Sequence, residues 1–369
     1  MSTRICHITS LHPANDIRIF HKECVSLAKQ YEVYLIAPNI EDDTQHGVHR
    51  IGVPLPKGRL KRQFCLKRVL QKALEVDAAV YHLHDPELLS MGPKLRKKGK
   101  KVVFDSHEDV PMQILTKEYL PRWCRKPLSR IYARYERRLM RRYDALVTVT
   151  PSILERLSAI NRHSVMVTNY PEYKELPPHT PHEEGPRYIC FAGGVDERYM
   201  HENVIRSLQY TSTRYLLAGP CFIPAYFKRL EALPMWERVE YQGVLPPEKT
   251  LELYARADVG IVLLDYSPNV GYRKGTRGVL KMFEYMMAGI PVVATDLELW
   301  KEIIEGYDCG ICVNPHDIHA IADAVNTLID NPERARQMGE NGRRAVKEKY
   351  NWATQEQVLL DLYESLLHE

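Results

Sequence analysis

Residues 271–295 read GYRKGTRGVLKMFEYMMAGIPVVAT. Gly275 and Gly278 flank Thr276 and Arg277 just ahead of a helical pattern, Val279–Ala288. The free amides and positive dipole end of such a helix start favour an anion. Lys281 and Glu284 are three residues apart, on neighbouring parts of one helix face. Gly289 and Pro291 then stop the helix and admit a buried strand, Val292–Ala294. A helix delivering directly into a buried strand is part of a βαβ unit, which argues for an α/β fold with parallel sheets. A carboxylate on the helix face can accept hydrogen bonds from two vicinal hydroxyls, as on a ribose. The plainer reading is a Lys281–Glu284 surface pair.

The same alternation extends in both directions. Behind a Pro-rich, charged stretch, TNYPEYKELPPHTPHEEGP (168–186), strands are expected at Tyr188–Ala192, Tyr215–Ala218, Val239–Tyr241, Gly260–Leu264, Pro291–Ala294 and Gly310–Val313. Ahead of it they are expected at Arg4–Thr9, Glu32–Ala37, Val48–Val53, Ala78–Leu83, Lys101–Phe104, Ala145–Val149 and Val165–Val167, with a helix over Asp16–Gln30. The pattern predicts two domains, 1–171 and 187–350, joined by a linker at 172–186 and followed by an amphipathic stretch at 351–369.

The 369 residues are 44% hydrophobic and 27% charged, which excludes a disordered, collagen-like or disulfide-stapled chain. No apolar run approaches the ~18 residues of a spanning helix. The opening MSTRICHITS lacks the regions of a signal peptide, and eight scattered Cys read as reduced thiols, so a cytoplasmic protein is expected. The net charge of +4 conceals +12 over residues 1–172 and −8 over the remainder. That asymmetry predicts an anionic surface or ligand facing the first half.

Several short motifs carry chemistry. In FAGGVDER, Gly193 and Gly194 end a buried strand and let backbone approach a ligand, while Arg198 can offer a fork to a diphosphate. In SLHPANDIR, Asn15 or Asp16 can cap a helix. HLHDPE puts His82 and His84 on one strand face, but no further ligand at metal spacing accompanies them. Cys309-Gly-Ile-Cys312 has no second pair, so a structural role is expected. His107 ends the strand VVFDSH, with Glu108 and Asp109 beside it.

Together, FEYMMAGIPVVATD preceded by Lys281, EIIEGYDCGICVNPHD, GVLPPEKTLELYARADVGIVLL, NDIRIFHKECVSLAKQYEVYLIAP and FDSHED resemble the family 4 glycosyltransferases. The pieces follow the family's order over nearly the whole chain. The resemblance implies the GT-B fold: two Rossmann-like domains facing each other across a cleft, acceptor in the first, nucleotide-sugar in the second. It also implies a last helix, NWATQEQVLLDLYESLLHE, crossing back to the first domain. By the same resemblance, donor contacts fall to Gly193, Gly194, Arg198, Val244, Leu245, Thr276, Gly278, Val279, Lys281 and Glu284. Acceptor contacts fall to Asn15, Asp16, Arg18, His84, Asp85 and Glu108, and His107 contacts the sugar near the reacting carbon. The family's donor motif has two Glu with seven residues between them, and Thr276 occupies the first of those positions here. Nucleotide binding is thus better supported than sugar handling.

The expected reaction is retaining transfer of a sugar from a UDP- or GDP-type donor to a saccharide or lipid-linked acceptor. Arg198 and Lys281 would stabilise the leaving diphosphate and His107 would orient the sugar. The nucleotide-sugar is a substrate, and neither a cofactor nor a metal is implied. Two rivals are a nucleotide-sugar 2-epimerase of the same fold and a non-catalytic carbohydrate-binding relative. Lys117–Arg142 holds ten Lys/Arg, with Trp123, Leu128, Ile131 and Tyr135 among them, and KGRLKRQFCLKR adds more. A solvated basic face would explain this. Peripheral contact with an anionic membrane surface is preferred, and no nucleic-acid motif accompanies the charge.

Overall fold

The computed structural model describes residues 2–56, 58–117, 119–177, 185–267, 272–276 and 278–368. Contacts divide the chain into one unit of Met1–Asn169 with Trp352–Glu369 and a second of Tyr170–Asn351. The first crossing lies before the expected boundary. Tyr170, assigned by sequence to the first domain, packs edge-on against Phe283 and Tyr350 in the core of the second.

The first unit is built on β1 (Arg4–Ile8), β2 (Glu32–Pro38), β3 (Asp43–Gln45), β4 (Val48–Val53), β5 (Val80–Leu83), β6 (Lys101–Ser106), β7 (Ala145–Thr148) and β8 (Ser164–Met166). Their order is β3-β4-β2-β1-β5-β6-β7-β8, parallel except for the short edge strand β3. No apolar pattern marks β3, whose Asp43, Thr44 and Gln45 are all exposed. The second unit holds β9 (Tyr188–Ala192), β10 (Arg214–Ala218), β11 (Val239–Tyr241), β12 (Val259–Val262), β13 (Val292–Thr295) and β14 (Gly310–Val313). Their order is β11-β10-β9-β12-β13-β14, parallel throughout. Each sheet therefore runs outward in both directions from its first strand, the doubly wound arrangement.

Helices cover both faces of each sheet, which is why the strands are continuously apolar. Along β9, Ile189 and Phe191 enter one core and Cys190 and Ala192 the other. The last helix, Trp352–His368, belongs to the first unit. Its Trp352, Leu359, Leu362, Tyr363 and Leu366 form one apolar stripe against Ile5, Phe20, Val33 and Leu35. Trp352 Nε1 also donates to Ser26 Oγ at 2.9 Å.

One expected helix takes a different form. Over Ile17–Cys24 the chain winds as a wide π-type helix, with the His21 amide reaching back to the Asp16 carbonyl at 3.2 Å. Only Val25–Leu27 is α-helical beyond it. The wider winding takes Arg18, Lys22 and Glu23 inward together with Ile19 and Phe20. Such windings recur at functional sites.

In the second unit the helix Pro332–Glu348 crosses the end of the helix Leu280–Ala288 in close contact. A Cβ on Gly339 would lie 1.9 Å from the Gly289 carbonyl oxygen, a backbone atom with no rotamer to change. Gly339→Ala should cost about 1–3 kcal/mol, the range for overpacking a closed contact. Urea unfolding should show a lower midpoint with an unchanged slope. An unchanged midpoint would mean that the two helices can separate freely.

Candidate functional site

The strand order of the second unit reverses at β9, so backbone beyond its C-terminal end borders a crevice. Gly193 and Gly194 lie there. The Gly193 amide donates to Ala218 O at 2.9 Å, and the Gly219 amide to Gly243 O at 2.7 Å, laying three strand ends side by side. This approach needs glycine. A Cβ on Gly219 would stand 1.7 Å from Gly193 O, and φ at Gly219 is +129°. A Cβ on Gly193 would meet Lys281 Cε at 3.3 Å. Lys281, in the first turn of the helix Leu280–Ala288, therefore passes over the end of β9. Two motifs separate in sequence thus converge.

Lys281 Nζ donates to Glu284 Oε2 at 2.9 Å, and the Tyr254 hydroxyl donates to the same oxygen at 2.7 Å. The pair considered as the plainer alternative does form, but half-buried rather than at a free surface. Tyr254 was not singled out from sequence. It comes from the helix Pro247–Ala255 and carried no signal beyond an apolar helical position.

The remaining donor residues divide. Leu245 and Val279 are partly buried against the core, whereas Val244 is 70% exposed. The Gly278 amide, expected to face an anion, donates instead to Thr276 Oγ1 at 3.1 Å. Thr276 O accepts from Trp300 Nε1 at 2.6 Å, which anchors the turn. Arg277 lies outside the described residues. Arg198 is exposed, and its guanidinium fork rests on Asp196 at 2.9 and 2.7 Å rather than being open. Asp196 thereby pre-orients it. Cys309 and Cys312 are free thiols, Cys309 buried and Cys312 half-buried, both with pKa raised by burial.

In the first unit the reversal falls at β1, beside β5. Three expected acceptor residues turn inward there. Asp85, 1% exposed, accepts from Thr9 Oγ1 at 2.8 Å, Ser10 N at 2.6 Å and Leu11 N at 3.2 Å, and pairs with His12 at 3.2 Å. It holds the loop after β1 instead of lining a surface. Burial acts to raise its pKa, but His12 and these donors outweigh burial and hold the carboxyl low. Arg18, 6% exposed, pairs with Asp105 at 2.6 Å and Glu23 at 3.0 Å and donates to Val167 O at 2.5 Å. It is an internal tie rather than an acceptor contact, because the wide helix carries it beneath the surface. Asp16 is the helix cap, accepting from the Arg18 and Ile19 amides at 2.9 Å. Asn15 is exposed, as is Glu108, which pairs with Gln113.

His84 is buried and links two rings. Its Nε2 lies 2.9 Å from His7 Nδ1, and its Nδ1 lies 3.2 Å from His107 Nε2. His107 keeps 18% of its side chain exposed, and its Nε2 is also 3.5 Å from Asp105. Burial lowers its pKa, with Asp105 opposing. For Asp105 burial raises the pKa, but Arg18, His107 and His82 outweigh it and hold the carboxyl well below the usual range. Asp105 and Glu23 were not singled out from sequence. The available signals were a charge inside the apolar strand VVFDS and an acid among the inward positions of IRIFHKEC.

The match to known proteins covers both units. Residues 172–345 match the family described as glycosyl transferases group 1, and residues 20–168 match Glycosyltransferase Family 4. A D-inositol 3-phosphate glycosyltransferase of Corynebacterium glutamicum is 26% identical over 147 residues, 40% of this chain and 33% of that protein. The match thus spans about a third of that relative's length. Among solved structures, sucrose-phosphate synthase of Thermosynechococcus elongatus superposes with TM-score 0.76 at 18% identity, covering 99% of both chains. Anabaena HepE, in complex with UDP and glucose, superposes with TM-score 0.71 at 15% identity, covering 98% of this chain and 100% of that one.

His201 supports the loop after β9 from below, packing edge-on against Phe191 with ring centroids 4.7 Å apart. Burial pushes its pKa down to about 4, whereas a histidine in an unfolded chain titrates near ~6.5. Between these values the unfolded chain holds a proton that the folded unit does not. Stability should therefore fall as pH drops from about 6.5 to about 4, by up to ~1.4 kcal/mol per pH unit from this group. Urea titrations at pH 7 and pH 5 should register the loss, and His201→Gln should reduce it. An identical difference in both proteins would remove His201 as a source.

Proposed function

The chain belongs to the family 4 glycosyltransferases, with the GT-B type of fold, and from that membership we propose that it moves a sugar from a nucleoside diphosphate to a saccharide or lipid-linked acceptor with retention at the anomeric carbon. The convergence of Lys281, Gly193 and Glu284 at the end of β9 carries this reading. A cation beside close-approach glycine backbone suits a diphosphate, and a carboxylate one turn along suits a ribose. The names of the relatives support it too: HepE was solved with UDP and glucose, and the Corynebacterium protein is named as a sugar transferase.

In the proposed reaction the bond between the sugar C1 and the diphosphate oxygen breaks, and that oxygen keeps the electron pair. Lys281 and Arg198 stabilise the charge as it grows, which favours the transition state over the bound donor. The acceptor hydroxyl attacks C1 from the same face, and its proton passes to the departing phosphate oxygen. His107 orients the sugar through its exposed side, while its buried Nε2 is held by His84 and Asp105. No metal enters these steps. Glu284 takes the ribose hydroxyls in place of its present bond from Lys281, with Tyr254 keeping the carboxylate aimed.

Incubation with a panel of nucleotide-sugars, with and without saccharide acceptors, separates the alternatives. Transfer or release of nucleoside diphosphate supports a transferase. Interconversion of a UDP-sugar without acceptor supports an epimerase, and binding without turnover supports a lectin-like relative. Glu284→Ala should weaken nucleoside diphosphate binding by about 1–3 kcal/mol, the range for a hydrogen bond to a charged group. Calorimetry giving unchanged affinity in the folded variant would exclude the ribose role.

Docking of the first unit on an anionic membrane surface is the second part of the proposal. On the helix Arg122–Met140, Leu128, Ile131 and Tyr135 are exposed at spacings of three and four, and Trp123 is 82% exposed. Arg130, Arg134, Arg137 and Arg138 are exposed among them. A merely solvated basic face has no need of these apolar side chains, whereas an interfacial helix needs both kinds. Among the described residues no helix is long and apolar enough to cross a membrane. Co-sedimentation should be strong with anionic vesicles, weak with neutral ones and reversed by salt, since screening shortens the electrostatic range to about 8 Å at physiological ionic strength. Reversing Arg134, Arg138 and Arg141 to Glu should weaken attachment and leave nucleotide affinity intact. Equal sedimentation with both vesicle types would exclude electrostatic docking.

A further inference from the structure

Four side chains meet inside the first unit, and of these the proposed transfer uses only His84, as a support for His107. His7 comes from β1, His82 from β5, His84 from the turn leaving β5, and Glu23 from the wide helix Ile17–Cys24. None is more than 1% exposed. One donor atom from each lies within 4.8 Å of every other. His7 Nδ1 is 2.9 Å from His84 Nε2, and Glu23 Oε2 is 4.0 and 3.9 Å from those two nitrogens. Four donors bound tetrahedrally at 2.0–2.1 Å stand about 3.3 Å apart, so ligation closes the two Glu23 separations by about 0.6–0.7 Å and opens that of His7 and His84 by about 0.4 Å.

An independent observation points to a ligand. Among the described residues neither oxygen of Glu23 receives a hydrogen bond, and Nε2 of His82 makes none either, with Asp105 Oδ2 3.9 Å away, although all three atoms are sealed from solvent. Arg18 stands 3.0 Å from Glu23 Oε1 but is drawn more closely to Asp105, at 2.6 Å. Buried polar atoms left in this way are costly. A cation between Glu23 Oε2 and His82 Nε2 satisfies both groups.

The surroundings are also those a ligand set requires. A ligating imidazole donates its other ring nitrogen to an outer partner. The far nitrogens of His7 and His82 both reach the Tyr363 hydroxyl, at 3.2 and 2.8 Å. His84 Nδ1 faces Asp105 at 3.7 Å and His107 Nε2 at 3.2 Å. We propose that His7, Glu23, His82 and His84 form a closed four-ligand site for a zinc-type divalent cation that braces the core of the first unit. Three imidazoles and one carboxylate suit zinc, whereas magnesium and calcium take oxygen sets. With four protein ligands and no exposed position, the ion is structural and stands apart from the metal-free transfer chemistry.

The full-length protein, prepared without chelator or metal-affinity resin, should carry about one zinc per chain by plasma mass spectrometry, as a site coupled to folding retains its ion. After removal of that ion, added Co²⁺ should give the visible absorption of a tetrahedral site. Glu23→Gln should lose the cobalt band and most of the zinc. Tyr363→Phe keeps all four ligands and removes only their outer partner, so zinc affinity should fall about 10–100-fold with the band retained. If Glu23→Gln does not fold, the wild-type stoichiometry and Tyr363→Phe decide the matter without it. Substoichiometric metal with no cobalt band in the wild type overturns the proposal, and the histidines then form a neutral hydrogen-bonded stack. Full zinc retention by a folded Glu23→Gln, or unchanged affinity in Tyr363→Phe, also overturns it.

Discussion

Each sheet grows in both directions from its own first strand, and the arrangement of functional groups follows from that constraint. Crossovers between parallel strands are right-handed, so those on opposite sides of β1, or of β9, leave toward opposite faces. The backbone at the C-terminal end of the first strand is consequently left uncovered by helices. In the second unit that place is occupied by Gly193, Gly194 and the shaft of Lys281. In the first it is occupied by the loop Thr9–Asp16 and by His84, Asp85 and His107.

The two uncovered places are stabilised in different ways. In the second unit, backbone contacts shape that place. The Gly193 amide bonds Ala218 O and the Gly219 amide bonds Gly243 O, and a side chain on Gly219 would strike the Gly193 carbonyl. The first unit instead buries charge. Arg18 and Asp105 meet at 2.6 Å with hardly any exposure, and the histidines cluster around them. Breaking one side of such a pair leaves an uncompensated charge in the interior, so these residues act as a unit. The wide winding of Ile17–Cys24 makes this possible, because it brings Arg18 and Glu23 to the same interior space.

Much of this was legible in the chain. Short β-branched runs alternating with helical patterns gave the α/β class, and Gly289 with Pro291 marked a helix end that the structure also has. Lys281 and Glu284 were legible as neighbours because a spacing of three on a helix has only one geometry. Arg18, Asp85 and Gly278 were harder. Each has the chemistry of a ligand contact, but Arg18 and Asp85 are turned inward and the Gly278 amide is taken by Thr276. A one-dimensional pattern does not say whether a polar side chain points toward solvent or toward a buried partner. β3 was missed because an exposed antiparallel edge strand needs no apolar residues.

The sequence alone determined the two α/β units, the existence of their strands, and the polar and glycine residues available at the ends of those strands. These follow from local periodicity and from short-range steric rules, which act within a few residues. The tertiary structure decided which of those residues meet. His7 and His84 are 77 residues apart, and Tyr363 lies 356 residues from His7, yet they share one hydrogen-bonded cluster. Their meeting depends on strand order and on the last helix returning to the first sheet. Both are set by burial of whole faces rather than by any local stretch, which is why pairing across such distances became visible only in the fold.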